Sequence, residues 1–516
     1  MNHAALIKAC LEKQIFLSPD LLDEELDESC FENIPQDAMV VSKDLLNMKS
    51  LMKVNWREFE KAKVMMEKKN DPRMYERFMD VLAKEKPKQK ASSVQVVFSY
   101  DEPSHKRTFE DFVGYFTARY SAIESLLKNR PELQRLTSIN RVIKKKEKES
   151  VAVIGLIYEK TITKNEHVLL TLEDPTGFIK VLVSKNKPEI YDIARNSCLD
   201  EVVGITGTFD QTILFANNFF IPDVPLTKEL KKSPNEEYLV LVGDPQLGSK
   251  NFLDKEFNKF LHWIQGKVGN DEQKAVARKV KYLIIPGDLV EGIGVYPGQE
   301  EDLLIYDIKE QYDAAALLLK QIPEHIQIII CPGNHDAGRL AEPQPSLYKD
   351  FAQALWDLPN VTIVSNPSLI TLGATETFPG IDVLIYHGGS MFYYAAEVEA
   401  IRSRGGIKKV DLIMKHMLQR RHLAAPHTST VYIPDPNRDP LVIERIPDIF
   451  VTGHVHFTVV GSYRNVTLIN ASAWVGVSEN QIRRGLDPQP ARLPIINLQS
   501  REVKIMNFMG KEHESK

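Results

Sequence analysis

Five short polar turns in the C-terminal half of the chain carry residue types that suit a metal centre. They are Gly243-Asp244-Pro245-Gln246, Gly287-Asp288, Gly333-Asn334-His335-Asp336, Tyr386-His387-Gly388 and Gly453-His454-Val455-His456. Carboxylate oxygen combined with imidazole nitrogen fits Mn, Fe or Zn better than Ca or Mg. Two such ions roughly 3.5–4 Å apart can hold an attacking hydroxide and neutralise a phosphate, so the chemistry within reach is hydrolysis of a phosphate ester. Each piece alone says little. A Gly-Asp pair after a strand is usually just a turn, and a buried histidine is usually a hydrogen-bonded core residue. Five such pieces in this order are hard to obtain by chance.

The elements that must position them are short apolar runs rich in β-branched residues: Tyr238–Val242, Val280–Ile285, Ile326–Cys331, Ile381–Tyr386 and Ile449–Val451. Each is bounded by turn-forming residues, as expected of strands buried in a sheet. Each runs straight into one of the polar turns. Glycine permits the tight turn and a close approach of backbone to ligand. Turns of this kind gather at the C-terminal edge of an open α/β sheet, so the five are expected to converge there.

The order and spacing of these motifs resemble the calcineurin-like phosphoesterases, a family of dinuclear metallophosphoesterases. The resemblance implies a two-sheet αββα sandwich holding two divalent ions, with Mn²⁺ favoured and Fe or Zn as alternatives. It places Asp288 as the bridging carboxylate, Asp244 and His456 on the first metal, and Asn334, His387 and His454 on the second. His335 matches the residue that contacts the scissile phosphate or protonates the leaving group, with Asp336 behind it as its orienting partner. Gln246 stands where the family usually has a first-metal histidine. Its amide oxygen can still donate to a metal, but it is neutral and a weaker donor, so looser binding at the first position is expected.

This domain accounts for only part of a chain of 516 residues, a length that suggests several domains. Hydrophobic content of 43% and charged content of 26% are those of an ordinary globular protein with a full core. A net charge of −5 offers no global basic field for nucleic acid. The four cysteines, Cys10, Cys30, Cys198 and Cys331, form no CxxC pair. They suggest neither a zinc finger nor a disulfide framework, which fits a reducing, cytoplasmic setting. The N-terminus, with His3, Lys8, Asp20 and Glu24, does not read as a signal peptide. No apolar run is long enough to span a bilayer.

Residues 1–83 read as a helical module, and the charged, proline-containing stretch 84–93 as a linker. Residues 94–148 read as a connector: a strand-like start at Val94–Tyr100, then an amphipathic helix carrying the stripe Phe112, Tyr115, Phe116, Tyr120 and Leu126. Residues 149–228 alternate like a small barrel of five strands, with Glu173–Gly177 as a tight turn, the pattern of an oligonucleotide-binding (OB) barrel. The barrel strands read as nearly free of surface aromatic and basic residues, which favours a structural role. The phosphoesterase domain then covers 236–510.

An OB barrel directly before a phosphoesterase domain is the layout of the B subunits of replicative DNA polymerases. The chain resembles the small-subunit family of the archaeal family D DNA polymerases. The carrying segments are Asp111–Phe116 with Arg119 and Tyr120, Gly243–Lys250, Gly287–Pro297, Gly333–Ala337 with Pro343–Pro345, and Met417–Pro426 ahead of the last ligand turn. The resemblance implies a metal-dependent 3′–5′ exonuclease acting on DNA, a large catalytic subunit as partner in a heterodimer, and polymerisation in that large subunit. The N-terminal module could engage other replication proteins. Arg420, Arg421 and His422, just ahead of the last ligand turn, are candidate contacts to DNA phosphates. A structural subunit with a decaying site, and a free-standing phosphatase or nuclease, are the competing readings.

Overall fold

A computed structural model describes residues 93–101, 106–477 and 488–510, together with two short strands, β1 (Phe16–Leu17) and β2 (Val40–Val41). The chain divides into two compact units, residues 1–92 and 93–516. In the first, β1 and β2 pair in parallel, Phe16 opposite Val40. The helices expected within 1–83 and the linker expected at 84–93 otherwise lie outside the described residues, save Ser93.

The second unit contains two six-stranded sheets and a barrel. One sheet has the order β12-β11-β10-β9-β18-β19. It comprises β9 (Tyr238–Leu241), β10 (Val280–Ile285), β11 (Gln327–Ile330), β12 (Val361–Ile363), β18 (Arg492–Asn497) and β19 (Val503–Asn507). Strands β9 to β12 run parallel, and β18 joins β9 antiparallel. The other sheet has the order β16-β17-β15-β14-β13-β3. It comprises β3 (Val94–Ser99), β13 (Ser368–Leu372), β14 (Ile381–Ile385), β15 (Ile449–Thr452), β16 (Val459–Tyr463) and β17 (Val466–Asn470).

Successive residues of a strand point to opposite faces, and both faces here are covered. Leu239, Leu241, Tyr282, Ile284 and Ile329 share one core with Ile370, Val383, Ile385, Val451 and Ile469 between the two sheets. Val240, Leu283, Ile285 and Ile328 face outward onto Phe257, Phe260 and Trp263 of α3 (Asp254–Ile264) and Tyr312 and Leu319 of α4 (Ile308–Leu319). Leu384, Phe450 and Leu468 face the other way, onto Tyr394 of α5 (Met391–Glu397) and Met414 and Met417 of α6 (Val410–Arg420). The result is helix, sheet, sheet, helix. Burial on both sides is why the strands read as continuous apolar runs.

The strand that opens the 94–148 segment does not belong to a connector. It is the edge strand of the second sheet, antiparallel to β13 with Val94 opposite Leu372 and Ser99 opposite Ser368. The helix after it, α1 (Phe109–Lys128), does connect. Tyr120, Ile123 and Leu127 pack on the barrel residues Ile154, Leu156 and Val202. On the sandwich side, Tyr115 stacks on Tyr432 at 5.1 Å and Arg119 Nε donates to Asp439 Oδ2 at 2.6 Å.

The barrel is closed, in the order β4-β5-β6-β8-β7. Its strands are β4 (Glu149–Ile162), β5 (Val168–Asp174), β6 (Gly177–Val183), β7 (Val202–Asp210) and β8 (Ile213–Phe220). All its pairs are antiparallel except β6 with β8. The predicted tight turn is held by Asp174, whose Oδ1 accepts from Thr176 N at 2.7 Å, while its Oδ2 accepts from Ile139 N at 2.9 Å. Helix α2 (Pro188–Arg195) contributes Ile190 and Ala194 to the barrel core. One expectation fails: the barrel surface is not free of aromatics. Tyr158 is 59% and Phe178 50% exposed, and the two rings meet edge to face at 5.2 Å. The β4 register slips between Ile157 and Glu159, which breaks the alternation at Tyr158.

Candidate metal centre

The five polar turns do converge, and glycine is what lets them. A Cβ on Gly333 would lie 2.3 Å from Asp288 Oδ1, and one on Gly453 2.4 Å from Asp244 Oδ1. Any side chain at either position would occupy the space of a carboxylate. The candidate ligand residues themselves are bent sharply. Asp244, Gln246, Asp288, His454 and His456 all adopt the left-handed backbone, with φ of 39°, 47°, 51°, 71° and 58°. That conformation is rare and costly for residues other than glycine, and such outliers concentrate at functional sites.

His387 is the hub. It is fully buried, and its Nδ1 faces Pro286 O at 3.0 Å. Because a carbonyl only accepts, that contact fixes Nδ1 as the protonated nitrogen. Its Nε2 looks into the centre, 2.9 Å from Asn334 Oδ1, 3.2 Å from Asp288 Oδ2 and 3.2 Å from His454 Nδ1. The ligand atoms of Asp288, His387 and His454 all lie within 4.8 Å of one another. Asp288 Oδ1 accepts from His335 N at 2.8 Å. On the other side, Asp244 Oδ2 accepts from His454 N at 2.7 Å and lies 3.3 Å from His456 Nε2. Gln246 is buried nearby, its backbone N donating to Asp288 O at 2.9 Å.

The electrostatics match that geometry. Burial opposes ionisation of Asp288, but His387 and His335 outweigh it and hold the carboxyl well below its usual range. Burial likewise opposes a charge on His387, yet the Asp288 carboxylate raises it to about 10. Burial and the neighbouring His387 push His454 down to about 3. These shifts describe Asp288 ion-paired with a protonated His387, and an ion held here would take the place of that proton.

Two observations test whether a divalent ion fits. Asp244 Oδ1 is buried with no hydrogen-bond partner, an arrangement that calls for an explanation in a native interior. And a carboxylate, an amide oxygen and two imidazole nitrogens face one small volume, a donor set suited to Mn, Fe or Zn. The residues fit the group.

His335 and Asp336 lie beside this cluster but do not work as a pair. Asp336 accepts from Gly333 N at 2.9 Å, Leu289 N at 3.2 Å and Tyr312 OH at 3.2 Å, so it braces the turn. The partner of His335 is Glu291. His335 Nδ1 lies 2.8 Å from Glu291 O and 3.8 Å from Glu291 Oε1. Glu291 is positioned in turn by Gln299 and Tyr296. The only sequence signal for Glu291 was a carboxylate three residues past Asp288 in the same turn.

Arg420, Arg421 and His422 are not a DNA-facing group. All three are buried. Arg420 Nε bonds Glu201 Oε2 at 3.2 Å, Arg421 Nε bonds Ile443 O at 2.7 Å, and His422 Nε2 bonds Asp439 Oδ2 at 2.7 Å. Burial opposes the charge on Glu201, but Arg420 and His416 hold its carboxyl at about 2. Cys198, Glu201 and His416 also lie within ligating distance of one another. There Arg420 already supplies the positive charge that a metal would bring, and we read that cluster as an ion pair joining the barrel to α6.

With fold and site in view, comparison with known proteins places the chain. The family of B subunits of DNA polymerases alpha and epsilon matches residues 239–459. The DNA polymerase II small subunit of Pyrococcus abyssi is 40% identical over 406 residues, covering 78% of this chain and 63% of that one. Those of Methanothermobacter thermautotrophicus and Archaeoglobus fulgidus are 37% and 35% identical, covering 75% and 78% of this chain and 77% and 78% of theirs. The chain belongs to the DNA polymerase II small subunit family of the archaeal family D polymerases. The match spans 63% of the length of the Pyrococcus abyssi relative. A solved archaeal phosphodiesterase aligns with a TM-score of 0.26 at 11% identity, over 52% of this chain and 98% of that one, too remote a likeness to bear on fold or function.

Proposed function

We propose that this chain is the small subunit of a two-subunit archaeal replicative DNA polymerase, and that its centre is a 3′–5′ exonuclease removing terminal nucleotides from DNA. Polymerisation then resides in the large subunit. The observation that carries the reading is the convergence of Asp288, Asn334, His387 and His454 on one point, with His335 alongside. The helix–sheet–sheet–helix sandwich supports a calcineurin-like assignment. The barrel's strand order, with its single parallel pair, supports an OB assignment.

Asp288 would bridge two divalent ions, with Asp244, Gln246 and His456 on the first and Asn334, His387 and His454 on the second. When bound, manganese, or iron or zinc, supplies Lewis acidity toward a phosphodiester and lowers the pKa of a water. The chain's own residues do the rest. Because Nδ1 of His335 is engaged by the Glu291 carbonyl, Nε2 is the nitrogen left to meet a phosphate or leaving-group oxygen. Glu291 fixes that orientation, and the Pro286 carbonyl does the same for His387. The test is a nuclease assay of the purified chain in Mn²⁺, with and without the large subunit. Release of nucleoside monophosphates that stops on chelation is expected, and no metal-dependent release in either form would overturn the reading. A second reading, a structural subunit with a weakened site, draws on one observation: Gln246 at a ligand position.

The large subunit's docking surface on this reading includes the barrel. Glu159 and Glu173 flank the exposed Tyr158 and Phe178, with the exposed Lys180 beside them, so the face is an apolar patch of mixed charge rather than a basic one, which suits a protein partner better than DNA. A chain starting at Ala91 should still co-purify with the large subunit, while Tyr158→Ser with Phe178→Ser should weaken the complex. Loss of the complex on truncation alone would move the interface to residues 1–90. No helix among the described residues is long and apolar enough to cross a membrane, and a cytoplasmic setting accords with the proposed role.

A further inference from the structure

One aromatic side chain beside the centre has no part in the hydrolysis described above. Phe392 is the second residue of α5, and its neighbours fix it in place. Met391 and Tyr394 are fully buried in the outer core. The preceding Ser390 donates through its backbone N to Tyr386 OH at 3.0 Å and through its Oγ to Leu423 O at 2.6 Å. Tyr386 immediately precedes the ligand residue His387, so the helix start is tied to the strand end that carries the centre. The Phe392 ring meets the His454 ring edge to face, centroids 5.5 Å apart at 79°, and His454 in turn meets His387 at 4.9 Å. Yet Phe392 remains 40% exposed. An aromatic surface on an anchored helix start thus stands one ring away from the candidate ligand cluster and partly open to solvent.

A residue needed only to pack against His454 would be an aliphatic side chain or a buried ring. An aromatic with much of its surface left in water gains little from burial, but it offers a π-face within one nucleotide of a phosphodiester held at the ligands. We propose that Phe392 is a stacking platform for a nucleobase next to the scissile bond, so that the centre takes unpaired 3′ ends rather than paired ones. This rests on the exonuclease reading and names the form of its substrate. A base stacked on Phe392 has left its duplex partner. Unpairing costs least where the terminal pair is mismatched, so the platform would favour mispaired ends without reading sequence, because every base has a π-face.

Stacking of one base on an aromatic side chain corresponds to about 5- to 150-fold in binding. The test uses the full chain in Mn²⁺ with single-stranded oligonucleotides whose last two nucleotides are normal or abasic. The unaltered chain should prefer the base-bearing end by about 5- to 150-fold in kcat/KM, mainly through KM. Phe392→Ala and Phe392→Leu should bring that preference close to one, and Phe392→Trp should keep it. A role confined to packing predicts that Leu restores what Ala loses, which would overturn the proposal. So would an unaltered chain that shows no preference for the base-bearing end. If the unaltered chain hydrolyses no DNA end either alone or with the large subunit, the exonuclease reading itself falls, and the platform with it.

Discussion

The two halves of the centre are built from the same kinds of turn but are not equally equipped. In the second half, His387 Nε2 contacts Asn334, Asp288 and His454 within 3.2 Å, and His387 and Asp288 are each held by a further bond, to Pro286 O and from His335 N. In the first half, Asp244 and His456 are 3.3 Å apart, Asp244 keeps one oxygen without a partner, and the remaining position is the amide of Gln246. The second half offers two imidazoles to an ion and the first offers one. The difference separates two demands on such a centre: holding one ion firmly, and holding a second well enough for hydrolysis. On the proposed metal reading, this chain would meet the first demand with two imidazoles and the second with a weaker donor.

The comparison can be broken most decisively at its shared and second-half residues. Asp288→Ala and His387→Ala should each lower hydrolysis of DNA 3′ ends by at least about 10²-fold. His335→Ala should cost about 10²- to 10⁴-fold, the usual worth of a positioned acid or base. Steady-state rates in Mn²⁺ check all three, and a loss below tenfold for Asp288→Ala would mean that the cluster is not the reaction centre. A smaller change should sharpen the contrast. Gln246→His should raise affinity at the first position, and the rate at limiting Mn²⁺, by about tenfold, comparable to what outer-shell partners of a metal contribute. No gain would show that the amide is not the weak point. The mildest effect is in the unaltered chain, where calorimetric titration with Mn²⁺ should resolve two unequal steps. Two equal, tight steps would remove the asymmetry.

The convergence of the five turns was legible because each packs its polar residues into two to four positions directly after an apolar run, and such local patterns survive without knowledge of the fold. The sandwich and barrel were legible for the same reason, through strand-length periodicity. What could not be read depends on distant partners. Arg420 and His422 look like a solvent-facing basic run until Glu201 and Asp439, 219 and 17 residues away, close on them. The strand at Val94–Ser99 finds its place only against β13, some 270 residues on. Tyr158 defeats the alternation rule because a register slip lies beside it. Glu291 was within reach, three residues past Asp288, but it meets His335 most closely through its backbone carbonyl, which sequence does not advertise.

The left-handed backbone at the polar turns bears on what position 246 is shaped to hold. With an ordinary backbone there, placing a histidine toward the centre would require rebuilding the turn. Gln246 instead keeps φ at 47°, between the 39° of Asp244 and the 51° of Asp288. The turn thus carries the same conformational cost as its neighbours at the centre. Glutamine and histidine codons differ only in their third base, so the chain sits a single point mutation from imidazole on a scaffold already bent to receive it.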